Sequence, residues 1–150
     1  MNRVWKPNVT VAALIEREGR FLLVEEETED GVRFNQPAGH LDQGESLIAA
    51  CAREALEETA WSFRPTALVG IYQWPRPQGD ITYLRFAFAG EMGEHELGRA
   101  LDVGILRAVW MTPDEIRAAA DLHRSPLVWQ CVSDYLAGRR FPLELVRHYD

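Results

Sequence analysis

The chain has 150 residues, of which 47% are hydrophobic, and its formal net charge at pH 7 is −7 with a pI of about 5.1. This length and apolar content predict a single domain over residues 1–150 with a core of its own. The acidic balance argues against non-specific binding to nucleic acid or to an anionic membrane surface, so we expect neither as a partner.

The N-terminal part of the chain predicts strands. Asn8–Arg17 and Arg20–Glu27 are apolar and β-branched, and Glu18-Gly19 between them has the residues of a tight turn, which predicts a hairpin. Arg33–Gln36 is predicted to be a short strand that Pro37 ends.

A turn and a helix are predicted next. Pro37-Ala38-Gly39 predicts a tight turn that exposes backbone groups, followed by a short loop. Ser46–Thr59 is rich in Ala, Leu and Glu, which predicts a helix. Ser46 lies where an N-cap is expected, and Glu45 beside it is favourable near the positive end of the helix dipole.

The second half of the chain predicts further strands and then helices. The strands are predicted at Thr66–Trp74, Ile81–Glu91 and Ile105–Met111, with a polar loop over Glu91–Asp102. Helices are expected to begin at Thr112-Pro113 and at Ser125-Pro126, and the last is expected to run to about Ala137 before Gly138. This order predicts an α/β fold in which helices pack on a mixed sheet.

Cys51 and Cys131, the only cysteines, lie in separate apolar contexts without a Cys-x-x-Cys spacing, so we expect buried free thiols. There is no apolar run of about 18 residues and no signal-peptide pattern at the start. We therefore expect a cytoplasmic protein.

The predicted helix Ser46–Thr59 has two chemically different faces. At about 100° per residue, Ile48, Ala52, Ala55, Leu56 and Thr59 fall on one side. Glu54, Glu57 and Glu58 fall on the other side, where Glu54 and Glu58 repel each other at i, i+4. Arg53 can pair with Glu57, but one cation does not balance three acids.

Two interpretations of the acidic face are open. A solvated acidic face is common in proteins. Alternatively, the carboxylates together with a free backbone carbonyl from the Pro37-Ala38-Gly39 turn form a site of hard oxygen ligands. Mg²⁺ or Mn²⁺ prefers such ligands, whereas zinc would require His or Cys.

The spacing of these residues resembles the Nudix box, Gly-x5-Glu-x7-Arg-Glu-apolar-x-Glu-Glu-x-Gly-apolar. Here Gly39 is followed after five residues by Glu45, and after seven more by Arg53-Glu54-Ala55-Leu56-Glu57-Glu58-Thr59-Ala60-Trp61. One position departs, since Ala60 stands where the family has Gly. If the left-handed backbone is kept there, Ala costs on the order of 1 kcal/mol.

Other segments are similar to small bacterial phosphatases of the same family. They are NVTVA at Asn8, VEEE at Val24, NQPAGHL at Asn35, YQW at Tyr72, YLRFAF at Tyr83 and RSPLV at Arg124. The resemblance implies a Nudix-type α/β/α sandwich. It also implies metal-dependent hydrolysis of phosphoanhydride bonds, with release of orthophosphate from nucleoside tri- and diphosphates or from a thiamin-precursor pyrophosphate.

The resemblance also implies residue roles. Glu54 and Glu58 are expected to be ligands of Mg²⁺ (or Mn²⁺), with Glu57 in or near the coordination shell and the Ala38 carbonyl as a further ligand. Arg53 is expected to orient Glu57, while Gly39 and Glu45 support the loop.

The general base and the substrate contacts stay open at this point. The base is expected to be Glu57 or Glu54, or an acid of the later loop; those acids are Glu94, Glu96 and Asp102. Arg85 is either a phosphate ligand in the cleft or an ordinary exposed strand residue, and Arg33 and Arg124 are weaker candidates. Trp74, beside a loop, is expected to stack on a substrate ring.

Two other functions are compatible with the box. One is a Nudix pyrophosphatase acting on another nucleoside diphosphate linked to a group X, and the other is a non-catalytic Nudix-fold sensor. Sensors of this fold usually lose box acids, and this chain keeps them all. The expected partner is a small phosphorylated molecule, and the expected assembly is a monomer or a small homo-oligomer.

Overall fold

A computed structural model describes residues 3–150. The strands are β1 Asn8–Leu14, β2 Glu16–Arg17, β3 Arg20–Thr28, β4 Gly31–Asn35, β5 Ala38–His40, β6 Trp61–Pro75, β7 Thr82–His95 and β8 Ile105–Met111. The helices are α1 Leu47–Thr59, α2 Pro113–Ala118 and α3 Leu127–Leu136, with short 3₁₀ segments at Ala120–Leu122 and Leu143–Leu145.

The strands form two four-stranded sheets. The first sheet has the order β5-β1-β7-β6 and is mixed, because β1 and β7 are parallel while the other pairs are antiparallel. In the second sheet β3 pairs antiparallel with β2, β4 and β8. The predicted mixed sheet is therefore the first sheet, and the remaining strands form a separate one.

Two hydrophobic cores lie on opposite faces of this framework. One core includes Ala12, Leu14 and residues of α2 and α3, whereas the other includes Val11, Ala13 and the apolar face of α1. Because successive residues of a strand point to opposite faces, β1 contributes to both cores. Helices on both sides of the sheets give the predicted α/β/α arrangement.

The predicted strand Asn8–Arg17 is interrupted at Ile15. It divides at Ile15 into β1, which pairs with β5 and β7, and β2, which pairs with β3. The hairpin at Glu18-Gly19 is therefore confirmed only over its last residues, where the Leu22 N–H donates to the Ile15 carbonyl at 2.9 Å. The chain changes sheets here because β1 finds its partners far along the sequence.

Two boundaries near Pro37 also differ from the prediction. The short strand is Gly31–Asn35 instead of Arg33–Gln36, and Ala38 and Gly39 lie in β5, paired with Ala12 and Val11, instead of in a tight turn. The physical reason is tertiary, since the strand is held by the neighbouring β1 and its three residues carry no periodic pattern.

The long hairpin β6–β7 extends further than predicted at its open end, where β6 begins at Trp61 and β7 ends at His95. Its register shifts at three places, and these irregularities carry the pairing past Pro65 and Gly70. The predicted polar loop from Glu91 is consequently wrong over Glu91–His95, which continue β7. The predicted strand at Ile105–Met111 is confirmed residue for residue.

The helix ends follow the predicted capping. Ser46 caps α1 by accepting a hydrogen bond from the Ala49 N–H at 3.0 Å, and Thr112 with Glu115 forms a capping box at α2. Ala60 has φ 64° and ψ 12°, so the left-handed turn is kept without Gly. Cys51 and Cys131 are buried free thiols, as predicted. None of the helices in residues 3–150 is long and apolar enough to cross a membrane.

Candidate active site

Three carboxylates meet where α1 lies against the loop before β8. Oxygen atoms of Glu54, Glu57 and Asp102 all lie within 4.8 Å of one another. Asp102 comes from the loop before β8, and its N–H donates to the Glu57 carbonyl at 3.0 Å, which ties the loop to the helix. Of the three loop acids considered from the sequence, Asp102 joins this group; Glu94 lies in β7 and Glu96 pairs with Arg99.

Glu58 lies beside this cluster, on the side of β5. Its side chain is buried, and its carboxylate accepts a hydrogen bond from the Ala38 N–H at 2.9 Å. Burial is the largest cause that raises the pKa of Glu58 to about 8, and the nearby Glu54 and Glu26 carboxylates raise it further. Burial likewise raises the pKa of Glu54. Both groups are therefore poised to gain from a nearby cation.

Arg53 connects the carboxylates to the preceding loop. Its Nε–H and Nη2–H groups donate to the two oxygens of Glu45 at 2.7 and 3.0 Å, a bidentate pair. Its Nη1–H groups donate to Glu54 at 2.8 Å and to Glu57 at 3.2 Å. The hydrogen bonds from Arg53 lower the pKa of Glu45. Arg53 thus positions Glu54 as well as the predicted Glu57, and Glu45 holds Arg53.

Gly39 allows β5 to approach α1 closely. A Cβ atom at this position would overlap the carboxyl group of Glu54. Only glycine lets the backbone of β5 pass at this distance, so the glycine of the motif serves close approach rather than a turn. The backbone of Ala38 and the carboxylates of α1 are adjacent for this reason.

Two of these carboxylates, Glu54 and Glu58, face a cavity of about 1280 Å³. Its walls come from β1, β3–β7, α1 and the start of α3 with the segment before it. It includes most of the predicted site residues, which are Ala38, Gly39, Glu54, Glu58, Trp74 and Arg85. A site of this size accommodates a ligand as large as a nucleotide.

Arg85 lies in the floor of this cavity and is only 6% exposed. It donates to the Gln36 Oε1 at 2.9 Å, to the Asn35 Oδ1 at 3.0 Å and to the Cys131 sulfur at 3.8 Å. The interpretation of Arg85 as an ordinary exposed strand residue is therefore wrong. Asn35 and Gln36 were missed as candidates; their only signal was their place beside the motif.

Trp74 lies on the rim of the cavity. Its ring stacks on Tyr83 with a centroid distance of 6.0 Å and an angle of 15° between the planes. Trp74 and Tyr83 are cross-strand neighbours on β6 and β7. Of the weaker basic candidates, both Arg33 and Arg124 also line the cavity, but Arg124 is paired with Glu26 at 2.8 Å.

The donor set fits a divalent cation with hard oxygen ligands. Carboxylate oxygens of Glu54, Glu57 and Asp102 converge within one coordination sphere. Burial makes the ionised forms of Glu54 and Glu58 unfavourable unless a cation compensates them. Among residues 3–150, no histidine or cysteine belongs to the cluster, which disfavours zinc.

A family model matches most of the chain. The NUDIX domain matches residues 5–130. The chain therefore belongs to the Nudix family, and it is a metal-dependent hydrolase that acts on phosphoanhydride bonds. It is 40% identical over 147 residues to phosphatase NudJ of Escherichia coli K12, covering 98% of this chain and 95% of that protein.

Solved structures agree with this assignment. A NUDIX hydrolase from Nitrosomonas europaea is 53% identical with a TM-score of 0.93, covering 96% of this chain and 98% of that one. The E. coli ORF135 protein, 23% identical with a TM-score of 0.69 over 97% of this chain and 96% of that one, shares the fold. The resemblance to the Nudix family and to its small bacterial phosphatases is thereby confirmed.

Proposed function

We propose that the protein is a phosphatase that releases orthophosphate from nucleoside tri- and diphosphates, and from the pyrophosphate of a thiamin precursor, with Mg²⁺ as its metal and Mn²⁺ as a substitute. The observation that carries the proposal is the group of convergent carboxylates of Glu54, Glu57 and Asp102, which adjoins a nucleotide-sized cavity through Glu54. The identity to phosphatase NudJ over nearly the full length of both chains supports the choice of product.

The carboxylates of α1 would hold the metal. Glu54 and Glu58 are the proposed ligands, with Glu57 in or near the coordination shell and the Ala38 carbonyl completing the set. When bound, the metal neutralises charge on the phosphates and activates water. Without it, Glu54 and Glu58 would repel a phosphate placed directly beside them.

The proton of the attacking water needs an acceptor near the cluster. Glu57 is the proposed general base and Glu54 the alternative within the box. The position of Asp102 beside both supports a third assignment, in which the loop acid accepts the proton. Arg53 acts as a positioning residue, because it holds Glu54 and Glu57 while Glu45 and the Gly39 backbone hold the loop.

The substrate contacts proposed here are Arg85 for a phosphate and Trp74 for an aromatic ring. The substrate is a small molecule, with no role for nucleic acid or a membrane. The proposed location is the cytoplasm, and the proposed assembly is a monomer or a small homo-oligomer.

The test is to incubate the protein with Mg²⁺ and GTP, GDP or a thiamin-pathway pyrophosphate, and to measure orthophosphate and pyrophosphate separately. We expect orthophosphate from each substrate and a loss of activity of at least about 100-fold in Glu57→Gln. Glu94→Gln, which removes an exposed carboxylate of β7, is the matched control and should retain activity. Orthophosphate release that Glu57→Gln retains would remove Glu57 from the mechanism.

A second candidate is a pyrophosphatase acting on a nucleoside diphosphate linked to a bulkier group. The cavity volume of about 1280 Å³ favours this candidate, because it leaves room beyond a simple nucleotide. Pyrophosphate as the product from GTP, or cleavage of larger dinucleotides in preference to GTP and GDP, would select it over the phosphatase.

A further inference from the structure

The first sheet lies beneath the cavity, and its side chains form rows across four paired strands. Trp74, Tyr83 and Asn8 are register partners in one row, and Tyr72, Arg85, Thr10 and His40 are partners in the next. Gly70, Ala87, Ala12 and Ala38 form the third row. Residues two apart in a strand share a face, and each row lies about 7 Å from the next.

These rows place three kinds of chemistry in a fixed order. The outermost row carries the aromatic pair Trp74 and Tyr83, and the middle row carries Arg85. The third row ends at Ala38, whose N–H is bonded to Glu58 of the carboxylate group. Ala38, Arg85, Trp74 and Tyr83 all line the same cavity. A ligand on this floor therefore meets carboxylates, then a guanidinium, then aromatic rings.

Arg85 carries a charge that the surrounding protein does not neutralise. Its side-chain partners are the amide oxygens of Gln36 and Asn35 and the sulfur of Cys131, and no carboxylate of residues 3–150 forms a salt bridge with it. Burial raises the pKa of the Cys131 thiol, which keeps it neutral. A buried cation held only by neutral groups favours an anionic ligand.

Arg85 also has a free donor that reaches the cavity. Its Nε–H makes no hydrogen bond within residues 3–150. Every buried side-chain nitrogen or oxygen of these residues has a hydrogen-bond partner. The Nε atom is therefore not buried, and it belongs to a residue that lines the cavity, next to the partly used Nη2 group. A guanidinium edge of this kind matches two oxygens of a phosphate.

We propose that Arg85 binds the phosphate adjacent to the one that is attacked, so that the terminal phosphate lies at the carboxylates and the ring of the substrate lies against Trp74 and Tyr83. This proposal rests on the proposed function and adds the direction in which the substrate lies. The opposite direction would place the ring near the acidic residues and the terminal phosphate among the aromatic rings.

The proposed direction defines the bond that breaks. The oxygen of water forms a bond to the terminal phosphorus, and the bond from that phosphorus to the bridging oxygen breaks. The electron pair stays on the bridging oxygen, which leaves with the phosphate held by Arg85, while a carboxylate of the site takes the proton from water. The guanidinium lies beside the oxygen where negative charge develops, and this stabilises the leaving group.

The binding part of the proposal is tested without metal and without turnover. In EDTA, calorimetric titration of the wild-type protein with GMP and with guanosine should show GMP binding at least about tenfold tighter, because only GMP offers a phosphate to Arg85. Arg85→Gln should bind both equally. Arg64→Gln, which removes an exposed arginine from the same sheet, should behave like the wild type.

A second variant tests the same role of Arg85 in case Arg85→Gln does not fold. Asn35→Asp keeps the oxygen that accepts from Arg85 and adds a carboxylate beside the intact guanidinium. It should lose the preference for GMP over guanosine while retaining the folded circular dichroism spectrum. Gln73→Glu adds the same charge at an exposed position of β6 outside the cavity and should retain the preference. Full GMP preference in Arg85→Gln or in Asn35→Asp would overturn the role of Arg85.

The direction of the substrate is tested with isotopically labelled water. Hydrolysis of GDP in H₂¹⁸O should place the label in orthophosphate, because water attacks the terminal phosphorus. Label in GMP would overturn the proposed direction. Absence of GDP and GTP hydrolysis by the wild-type protein, with metal present, would instead contradict the proposed function, whereas the titrations in EDTA would still decide the role of Arg85.

Discussion

Glu58 is a buried acid whose charge is costly without a cation. Burial raises its pKa from the ordinary 4.5 to about 8, so the folded state binds a proton that the unfolded state releases. The stability that this proton contributes is fully present below about pH 4.5 and is lost as the pH rises through about 8. Metal-free protein at alkaline pH therefore carries an unfavourable buried charge.

We expect Glu58→Gln to stabilise the metal-free protein at pH 8.5 by about 1–3 kcal/mol, because Gln is neutral and can still accept the hydrogen bond from Ala38. Urea unfolding in EDTA at pH 8.5 and at pH 5 measures the effect, which should shrink at the lower pH. Glu94→Gln, at an exposed position of β7, is the control and should change little. Equal or lower stability of Glu58→Gln at pH 8.5 would mean that the ionised carboxylate is well compensated.

Gly39 is the residue of β5 whose backbone lies against the carboxyl group of Glu54. We expect Gly39→Ala to lower hydrolysis at least about tenfold and to weaken Mg²⁺ binding, since the new Cβ must displace the Glu54 carboxyl group. The measurement is the initial rate at increasing Mg²⁺ concentration.

The control for Gly39→Ala is Gly98→Ala. Gly98 has φ 84° and nothing within 4 Å of an added Cβ, so this change introduces backbone strain of about 1 kcal/mol away from the site. Its Mg²⁺ dependence should match that of the wild type. If both variants lose activity in proportion to their stability, the close approach at Gly39 is not the cause.

At the level of elements, helix α1 ends in a turn that suits glycine better than the alanine present. Ala60 has φ 64° and is 3% exposed, so replacing it relieves strain but removes a buried methyl group. Relief of the strain stabilises the protein by about 1–2 kcal/mol. Loss of the buried methyl group destabilises it by about 0.8 kcal/mol. We expect Ala60→Gly to raise the free energy of unfolding by about 0.5 kcal/mol with unchanged kcat, as chemical denaturation and a rate assay will show. A loss of stability would mean that the methyl contact outweighs the strain.

Sequence periodicity was informative where an element carries its own signal. Helix α1, its cap at Ser46 and the strand at β8 have local patterns and were predicted almost to the residue. Strand β5 and the division of the first predicted strand at Ile15 depend on pairing with distant segments, which no local pattern encodes. Tertiary pairing decided these elements.

The candidate site shows the same division. Its acids were identified from spacing on one helix and from the family resemblance. The floor of the cavity was not, because its rows combine residues of β1, β5, β6 and β7 that are brought together only by the register of the first sheet. The alternation of side chains in β7 allowed Arg85 to point either into the cleft or toward solvent. Its contacts with Gln36 and Cys131 show that it points into the protein, beneath the cavity.

At the level of the whole molecule, the net charge of −7 and the clustered carboxylates predict a strong stabilisation by divalent cations. At a Mg²⁺ concentration 100 times its Kd, binding adds about 2.7 kcal/mol to the free energy of unfolding. For a chain of this size we expect the Tm to rise by about 5–10 °C. Differential scanning calorimetry with and without MgCl₂ measures the shift.

The matched variant for this prediction is the double change Glu54→Gln with Glu58→Gln, which should abolish most of the shift. Potassium chloride at the same ionic strength should give a smaller shift than MgCl₂, because screening lacks specific coordination. Equal shifts with both salts would indicate general screening of the acidic surface.

Strand β1 has a consequence for the order in which the molecule can be made. Its residues Val11–Leu14 are almost completely buried, yet its partner β7 begins only at Thr82. At ribosomal rates of about 5–20 residues per second, roughly 3–14 s separate the synthesis of the two strands. During that interval β1 can pair only with the short strand β5, and its other edge has no partner. Newly synthesised chains are therefore most exposed to aggregation before their second half emerges.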